Sequence, residues 1–240
     1  MKKGFLSGAK ILCCIFILHT VVFSSFSQSK ATMSSDCTFG NCVCIQGSLD
    51  LTNLKYSSSG SSSSDQSRLG FNLGVFVFHP LPSKMKTGSL ALTYGLEFIQ
   101  KGSKYDYGGG DKETITLGYL EVPVDLLYEY KLQNCSSIFG GVGVYLAYGL
   151  GGKDKYTYSG QTVSSNSFSD STAKRFDAGF RISAGYRMSC NWSASIVYEF
   201  GILNIGQSSG GAGSSGYSVK NHLWSFNFAY CLGDLMGRKK

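Results

Sequence analysis

The segment from Trp192 to Ile202 alternates between large apolar side chains at even positions and mostly small or polar side chains at odd positions. The same alternation returns at Leu223–Leu232, where every second residue on one face is aromatic: Trp224, Phe226, Phe228 and Tyr230. A period of two places successive side chains on opposite faces of an extended chain, as in a β-strand. Both segments are therefore predicted to be strands with two chemically different faces.

Eight segments carry this pattern, and each is close to or above the roughly 9–11 residues that a tilted membrane strand requires. No segment beyond the first residues has the apolar length of a spanning helix. The candidates are Val43–Lys55, Arg68–His79, Ser89–Gln100, Thr114–Lys131, Ser137–Gly151, Arg175–Met188, Trp192–Ile205 and Asn221–Leu232.

The connections between these candidates alternate in length. Long polar segments follow the odd-numbered strands, and shorter ones follow the even-numbered strands. Outer-membrane barrels show this asymmetry, with short periplasmic turns and long outer loops, so both termini are expected in the periplasm. The long segments are Tyr56–Ser67, Lys101–Glu113, Gly152–Lys174 and Gly206–Lys220; the short ones are Pro80–Gly88, Leu132–Ser136 and Ser189–Asn191.

Residue size indicates which face of the strands points outward. One face is bulky, as at Leu90–Phe98 and Leu120–Tyr128, whereas the other is rich in glycine, alanine and serine. The interior of an eight-stranded barrel is too narrow for the bulky set, and a soluble barrel would carry more charge on its outer face. The sequence thus predicts an all-β fold: an eight-stranded antiparallel up-and-down transmembrane β-barrel with long outer loops and short periplasmic turns, whose bulky face contacts lipid.

The N-terminus has the pattern of a secretory signal peptide. Lysines precede the apolar run Ile11–Phe26, and small residues stand before Gln28 at the expected cleavage site. A membrane anchor helix is the alternative, but the run is short for a bilayer core and is interrupted by His19 and Thr20. The predicted organisation is a signal peptide at 1–27, a Ser/Cys-containing periplasmic leader at 28–42, the barrel at 43–232 and a basic tail at 233–240.

Composition adds to this interpretation in two ways. Loss of the three lysines of the signal peptide would lower the formal charge from +7 to about +4, so a nucleic-acid partner is not expected. Glycine (31 residues), tyrosine (15) and phenylalanine (16) are abundant while proline (3) is scarce, which suits twisted strands with aromatic rims.

Several stretches resemble the PorT-like outer-membrane β-barrel family. The resemblance implies an eight-stranded barrel in the outer membrane, and for some relatives a role in assisting a secretion system. Two features depart from the family pattern: the tail Gly233–Lys240 after the last strand, and the cysteines of the processed chain. The matching stretches are Leu117–Tyr130, which contains the most specific part of the pattern, Phe139–Tyr148, Phe176–Tyr186, Tyr198–Ile205 and the pair Lys220–Asn221.

Charged residues fall on the inward-facing positions. So many carboxylates in a narrow interior would repel one another unless they are paired, protonated or solvated. A polar plug with arginine bridging the acids is the favoured interpretation, and a cation path or acidic pocket is the alternative. Pro123 lies within a strand and predicts a bulge or kink. The candidate lumen network is Asp50, Glu97, Glu121, Asp125, Glu129, Asp177, Arg181 and Glu199.

Six cysteines remain after processing, and an exported protein meets an oxidising compartment where disulfides form. Barrel closure would bring Cys42 or Cys44, at the start of the first strand, near Cys231 at the end of the last. Cys135 and Cys190 lie in two short turns and form a second possible pair. Free thiols remain an alternative, while a zinc site built on Cys37, Cys42 and Cys44 lacks a good fourth ligand.

The sequence favours a role without catalysis, in structure or interaction. His79 and His222 remain after processing, and neither accompanies a nucleophile motif, so a lipid hydrolase is disfavoured. Tyrosines among small residues in the outer loops could form a contact surface. The expected partners are outer-membrane lipid and an envelope or secretion-system protein. We expect a monomer without cofactor or metal. An accessory role in secretion is the alternative function, and a small pore is less favoured.

Overall fold

The computed structural model describes residues 41–58, 61–83, 85, 88–132, 136–168, 173–188, 191–206 and 218–232. The predicted signal peptide, the leader up to residue 40 and the basic tail lie outside the described residues. Within those ranges no helix has the length and hydropathy needed to cross a membrane. The strands are β1 (Cys42–Ser58), β2 (Ser61–Ser64), β3 (Arg68–Pro80), β4 (Gly88–Gly108), β5 (Asp111–Lys131), β6 (Ser137–Tyr158), β7 (Gln161–Asn166), β8 (Phe176–Arg187), β9 (Trp192–Gly201) and β10 (Ser218–Leu232).

Eight of these strands form a closed antiparallel ring in chain order. Each pairs with the next, and β10 pairs with β1 from Val43 opposite Leu232 to Ser57 opposite Ser218. The short strands β2 and β7 lie outside the ring and extend the hairpins of β1 and β6. The predicted eight-stranded up-and-down barrel is confirmed.

The ring has two unlike ends. At one end, here called the turn end, the chain crosses between strands by short connections, and β1 begins and β10 finishes there. At the other, the loop end, β4, β5 and β6 continue well past their neighbours. These three strands have 21, 21 and 22 residues, about twice what a membrane crossing needs.

The assignment of the bulky face to the outside is also confirmed. Apolar side chains on this face are strongly exposed, such as Leu49 (61%), Leu73 (59%) and Leu146 (67%). Aromatic residues border this apolar band at both ends, as in membrane barrels. Tyr128, Tyr130, Tyr186, Trp192 and Tyr230 lie toward the turn end, and Phe98, Tyr148, Phe176, Tyr198 and Trp224 toward the loop end.

Three of the predicted long loops are instead mostly strand, which corrects the sequence interpretation. Tyr56–Ser67 contains the last residues of β1 and all of β2, which pair with each other. Lys101–Glu113 is the hairpin of β4 and β5, and much of Gly152–Lys174 is the hairpin of β6 and β7. The β4–β5 and β6–β7 hairpins each close with two residues of positive φ: Gly109 (66°) and Gly110 (97°), then Ser159 (47°) and Gly160 (78°). Such turns match the twist of paired strands, so the backbone pairing continues through polar sequence.

The ladder is irregular at two points on β5. Pairing between β4 and β5 is interrupted opposite Val122 and Pro123, because proline has no N–H to donate. Between β5 and β6 the register shifts at Gly118, where Leu150 is the extra residue of a bulge.

Another difference from the sequence prediction concerns β9, which was predicted to reach Ile205 and finishes at Gly201. Beyond that residue the N–H groups of Ile202 and Leu203 both reach the carbonyl of Ala178, and regular pairing stops.

Candidate functional site in the barrel lumen

The lumen is the most highly charged part of the described chain, and the inward register of the strands brings its charges together. All of the predicted lumen residues lie inside the barrel, each less than a tenth exposed. Their exposed fractions are Asp50 0%, Glu121 0%, Glu97 1%, Glu129 1%, Asp177 1%, Glu199 2%, Arg181 4% and Asp125 8%.

Arg181, on β8, lies at the centre of this group. Its Nη1 donates to Glu97 Oε1 at 2.9 Å and to Glu121 Oε1 at 3.1 Å, and lies 2.8 Å from Glu199 Oε1. Its Nε lies 3.3 Å from Asp125 Oδ1. One guanidinium thus bridges carboxylates from three other strands, in the role that the sequence predicted for it.

Lys101 is the second buried cation, and the sequence interpretation missed it by placing it in a loop. Its side chain is 1% exposed, and its Nζ lies 2.8 Å from Glu121 Oε2, 3.1 Å from Glu199 Oε2 and 3.6 Å from Asp177 Oδ2. The Nζ also lies 3.8 Å from the ring centroid of Tyr145, a cation–π contact. Lys101 continues the inward register of β4, in which residues 97, 99 and 101 share a face; that period was the signal that could have found it.

Neutral donors contact one oxygen of each of two further acids, Asp177 and Asp50. Asp177 Oδ2 accepts hydrogen bonds from Asn221 Nδ2 at 2.8 Å and from Tyr145 Oη at 3.2 Å. Asp50 Oδ1 accepts from Ser48 Oγ and Ser225 Oγ, both at 2.6 Å. Hydroxyl and amide donors compensate part of the cost of burying both carboxylates; Lys101 also contacts Asp177, whereas no ion pair of the described residues involves Asp50.

A separate ion pair lies at the turn end. Arg187 Nε lies 3.1 Å from Glu129 Oε1, and Ser137 Oγ donates to the same oxygen at 2.5 Å. The guanidinium also lies over the ring of Phe78, 4.3 Å from its centroid. Sequence reasoning identified Glu129 but not Arg187, although Arg187 shares the inward register of Arg181 on β8.

Glycines on neighbouring strands make space for this network. A Cβ at Gly143 would meet the Asp125 carboxylate and lie 2.5 Å from the Val124 carbonyl oxygen. A Cβ at Gly179 would lie 2.6 Å from the Tyr145 ring, and one at Gly74 would lie 2.5 Å from Glu97 Cβ. The small residues that the sequence places on the inward face therefore provide the space that the long polar side chains of the neighbouring strands occupy.

Apolar layers lie on both sides of the charged layer. Toward the loop end, Leu54, Ile99, Leu117, Phe168, Ile205 and Leu223 belong to one buried cluster. Toward the turn end, Phe76, Phe78, Ala91 and Leu127 form another, together with Cys42, Cys44 and Cys231. Side chains therefore fill the lumen at three successive levels, which favours a plug over an open path.

The spacing of the acids also raises the question of a metal. Oxygens of Glu97, Glu121 and Glu199 lie within 4.8 Å of one another, a distance that one ion could span. The Nη1 of Arg181 already contacts all three glutamates and supplies positive charge at that place. The arrangement is explained by the ion pairs of the chain itself.

The cysteine positions follow from closure of the ring. Cys44 and Cys231 are opposite each other in the β1–β10 ladder and form a disulfide. Cys42 Sγ lies 3.8 Å from Cys44 Sγ. Of the two bridges that the sequence left open for Cys231, the structure contains the one to Cys44; Cys37, Cys135 and Cys190, and with them the second proposed pair, lie outside the described residues.

The two histidines lie on different parts of the barrel. His222, near the loop end, is on the outward face, and its Nδ1 lies 3.0 Å from Tyr198 Oη. His79, near the turn end, has its Nδ1 2.5 Å from Asn41 Oδ1. The structure therefore does not bring them together with the lumen acids.

Known proteins resemble this chain in sequence and in fold. Residues 26–207 match the family described as "Outer membrane protein beta-barrel domain". No curated protein is significantly similar to the chain. Similar solved structures include Ail, the attachment invasion locus protein of Yersinia pestis (15% identity, 81% of this chain and 100% of that chain, TM-score 0.37), OprG from Pseudomonas aeruginosa (12%, 81% and 97%, 0.40) and the outer membrane enzyme PagL (15%, 77% and 99%, 0.38).

Proposed function

This chain belongs to the outer membrane protein β-barrel domain family and is an outer-membrane protein, and we propose that it is a closed, non-catalytic barrel that binds a partner protein outside the cell. Short turns lie on the periplasmic side of such barrels and longer connections outside, so the loop end faces outward. The observation that carries the proposal is the part of the sheet that extends past the membrane at this end. This projecting sheet comprises residues 104–108 of β4, 111–116 of β5, 152–158 of β6, and β7.

One face of the projecting sheet is lined by tyrosines. Tyr105 and Tyr107 lie on β4, and Tyr156 and Tyr158 on β6, all at positions that continue the inward register of the barrel. The rings of Tyr105 and Tyr107 have centroids 4.4 Å apart, and those of Tyr107 and Tyr156 are 5.9 Å apart. Exposed aromatic side chains that pack against one another are enriched in the surfaces through which proteins bind one another.

Two acidic groups, Glu113 and Asp154, lie on the same face as these rings, and Glu113 fixes the position of Tyr107. Tyr107 Oη donates to Glu113 Oε2 at 2.6 Å, and this hydrogen bond raises the pKa of the Tyr107 phenol above its ordinary value. Burial, together with the nearby negative charge of Glu113, raises the pKa of the Asp154 carboxyl group. The tyrosine face is therefore both aromatic and acidic, and it suits a partner segment that presents basic and apolar side chains.

The rigidity of the sheet supports a binding role. The two-residue turns and the ladders of the projecting sheet, with a single bulge at Tyr107 on β4, hold the tyrosines in a fixed arrangement. A rigid surface loses less conformational entropy on association than a flexible loop does. Tyr158 (59% exposed) and Val163 (68%) lie furthest toward solvent on this face and are the expected first contacts.

Site-specific photocrosslinking tests this proposal. A photoreactive residue at Tyr158 should crosslink a protein in intact cells, and the crosslink should be lost when Tyr105, Tyr107 and Tyr156 are changed to serine. Leu132, at the turn end and 42% exposed, provides the matched position. A crosslink at Tyr158 that survives the triple change would contradict the proposal.

The resemblance to PorT-like barrels supports a second role, as an accessory barrel of a secretion system. Such a partner would lie in the periplasm, so the turn end would make the contact. A protein crosslink from Leu132 without one from Tyr158 would favour this second role and exclude the first. Absence of catalysis is also part of the proposal. The purified protein should hydrolyse a lipid ester no faster than its His222→Ala variant or a protein-free blank does, and hydrolysis that is lost in the variant would contradict it.

A further inference from the structure

The outward face of the projecting sheet differs sharply from its tyrosine face. Lys104, Lys112, Lys153 and Lys155 lie on it, and all four side chains are exposed. Threonines occupy the cross-strand positions beside them: Thr114 is opposite both Lys104 and Lys155 in the ladder. We call this set of four lysines and the intervening threonines the lysine face.

The lysine face has little compensating negative charge. Asp106 lies on the same face, with an oxygen 3.8 Å from Lys112 Nζ. Among the ion pairs of the described residues, none involves Lys104, Lys153 or Lys155. The acids Glu113 and Asp154 point to the opposite face, because they alternate with the lysines along β5 and β6. The sheet therefore separates charge by face.

The lysine face begins directly above the lipid-facing band. On β6, Tyr148 and Leu150 are outward apolar residues, 45% and 53% exposed, and Lys153 follows three residues later. Three residues of a strand span about 10 Å, which at a tilt of about 45° is roughly 7 Å along the membrane normal, close to the depth of the headgroup layer. On β4 the order is the same, from Phe98 through Gln100 to Lys104.

The spacing of the lysines suits a phosphorylated headgroup. Lys153 and Lys155 are two residues apart on one strand, about 7 Å, and Lys104 lies two strands from Lys155, about 10 Å. Ammonium groups on flexible stems bind phosphate as point charges, and threonine hydroxyls can donate to its oxygens. An isolated exposed lysine would gain little from one anion, whereas three within this distance can share it.

We propose that the lysine face binds the phosphate groups of lipid headgroups in the outer leaflet. The headgroups would then fix the projecting sheet at the membrane surface. This proposal does not depend on the tyrosine face or on a protein partner, because it uses the opposite side of the sheet. Near an anionic membrane surface, each lysine is worth roughly a fivefold gain in affinity, so removing three is expected to weaken binding by at least tenfold.

Solution NMR of the full chain in zwitterionic micelles tests this directly. Dihexanoyl phosphatidic acid should shift the backbone amides of Thr114, Thr116 and Lys155, whereas dihexanoyl phosphatidylcholine should not. The combined variant Lys104→Gln, Lys153→Gln and Lys155→Gln should bind phosphatidic acid at least tenfold more weakly. The control variant Lys84→Gln, Lys86→Gln and Lys131→Gln removes the same total charge from the connection between β3 and β4 and from the end of β5, at the opposite end of the barrel, and should bind as the unmodified chain does.

Three outcomes would overturn the proposal. The first is the absence of amide shifts from the lysine face, and the second is a control variant that loses as much affinity as the test variant. The third is binding of inorganic phosphate to this face as tightly as phosphatidic acid, which would make the occupant a soluble anion. The three lysines of the test variant are exposed, and retention of the heat-dependent mobility of a folded barrel on detergent gels confirms for each variant that a loss of binding is not a loss of fold.

Discussion

Lys101 shows how much a single buried side chain decides in this protein. It contacts Glu121, Glu199 and Asp177 at once, and its stem is enclosed by the lumen wall. Without it, Glu121 and Glu199 would have Arg181 as their cation partner and Asp177 would lose the ion pair that it has. A buried carboxylate that loses its cation still carries the free-energy cost of its desolvation. Removing one partner of a buried ion pair therefore destabilises the folded state by more than the complete pair stabilises it.

Replacing Lys101 with methionine is therefore expected to lower the free energy of unfolding by about 3–5 kcal/mol. Urea titration of the barrel folded in lipid vesicles provides the measurement. Lys131→Met, at an exposed position at the end of β5, is the matched control and should change stability by less than about 0.5 kcal/mol. Adding Glu121→Gln to the Lys101 variant should recover part of the loss, and equal effects of the two single methionine variants would contradict the electrostatic explanation.

At the scale of elements, β5 and β6 are matched residue by residue. Inward glycines on β6 lie opposite inward acids and large residues on β5, as Gly143 does opposite Asp125. Such matching cannot be read from one strand alone, because each strand shows only its own alternation. The pairing explains why the small face of one strand and the polar face of its neighbour coexist in the same lumen.

Two glycines of β6 provide a sharp comparison. Gly143→Ala should destabilise the barrel by about 1–3 kcal/mol, because the new methyl group would meet the Asp125 carboxylate and the Val124 carbonyl. Gly151→Ala, on the same strand, meets nothing within 4 Å and should change stability by less than about 0.5 kcal/mol. Vesicle unfolding measures both, and a Gly151 variant as unstable as the Gly143 variant would show that strand propensity, not space in the lumen, is limiting.

Considered as a whole molecule, the barrel combines a filled interior with an extended outer sheet. The Cys44–Cys231 disulfide joins the first and last strands where the ring closes. The charged layer lies between two apolar layers, so a hydrated path through the lumen would require several buried side chains to move together. The surface beyond the membrane thus carries the proposed contacts.

We expect planar bilayers containing the folded protein to show no stepwise conductance. The reason is the packing of the lumen at three levels, which leaves ions no hydrated route. An open porin added afterwards to the same bilayer checks that channels would be detected. Regular conductance steps that scale with the amount of this protein would instead support the cation path that the lumen acids suggested.

The sequence by itself determined the strands, the membrane-facing side and most of the lumen acids, because the period of two and the size of side chains are local properties. It did not determine that residues 101–113 form a hairpin, because polar residues suit both loops and solvated strands and only pairing distinguishes them. Lys101 was missed for that reason. Which cation meets which acid, and which cysteine meets Cys231, was decided only by the tertiary structure, since those contacts depend on the register between strands that are distant in the chain.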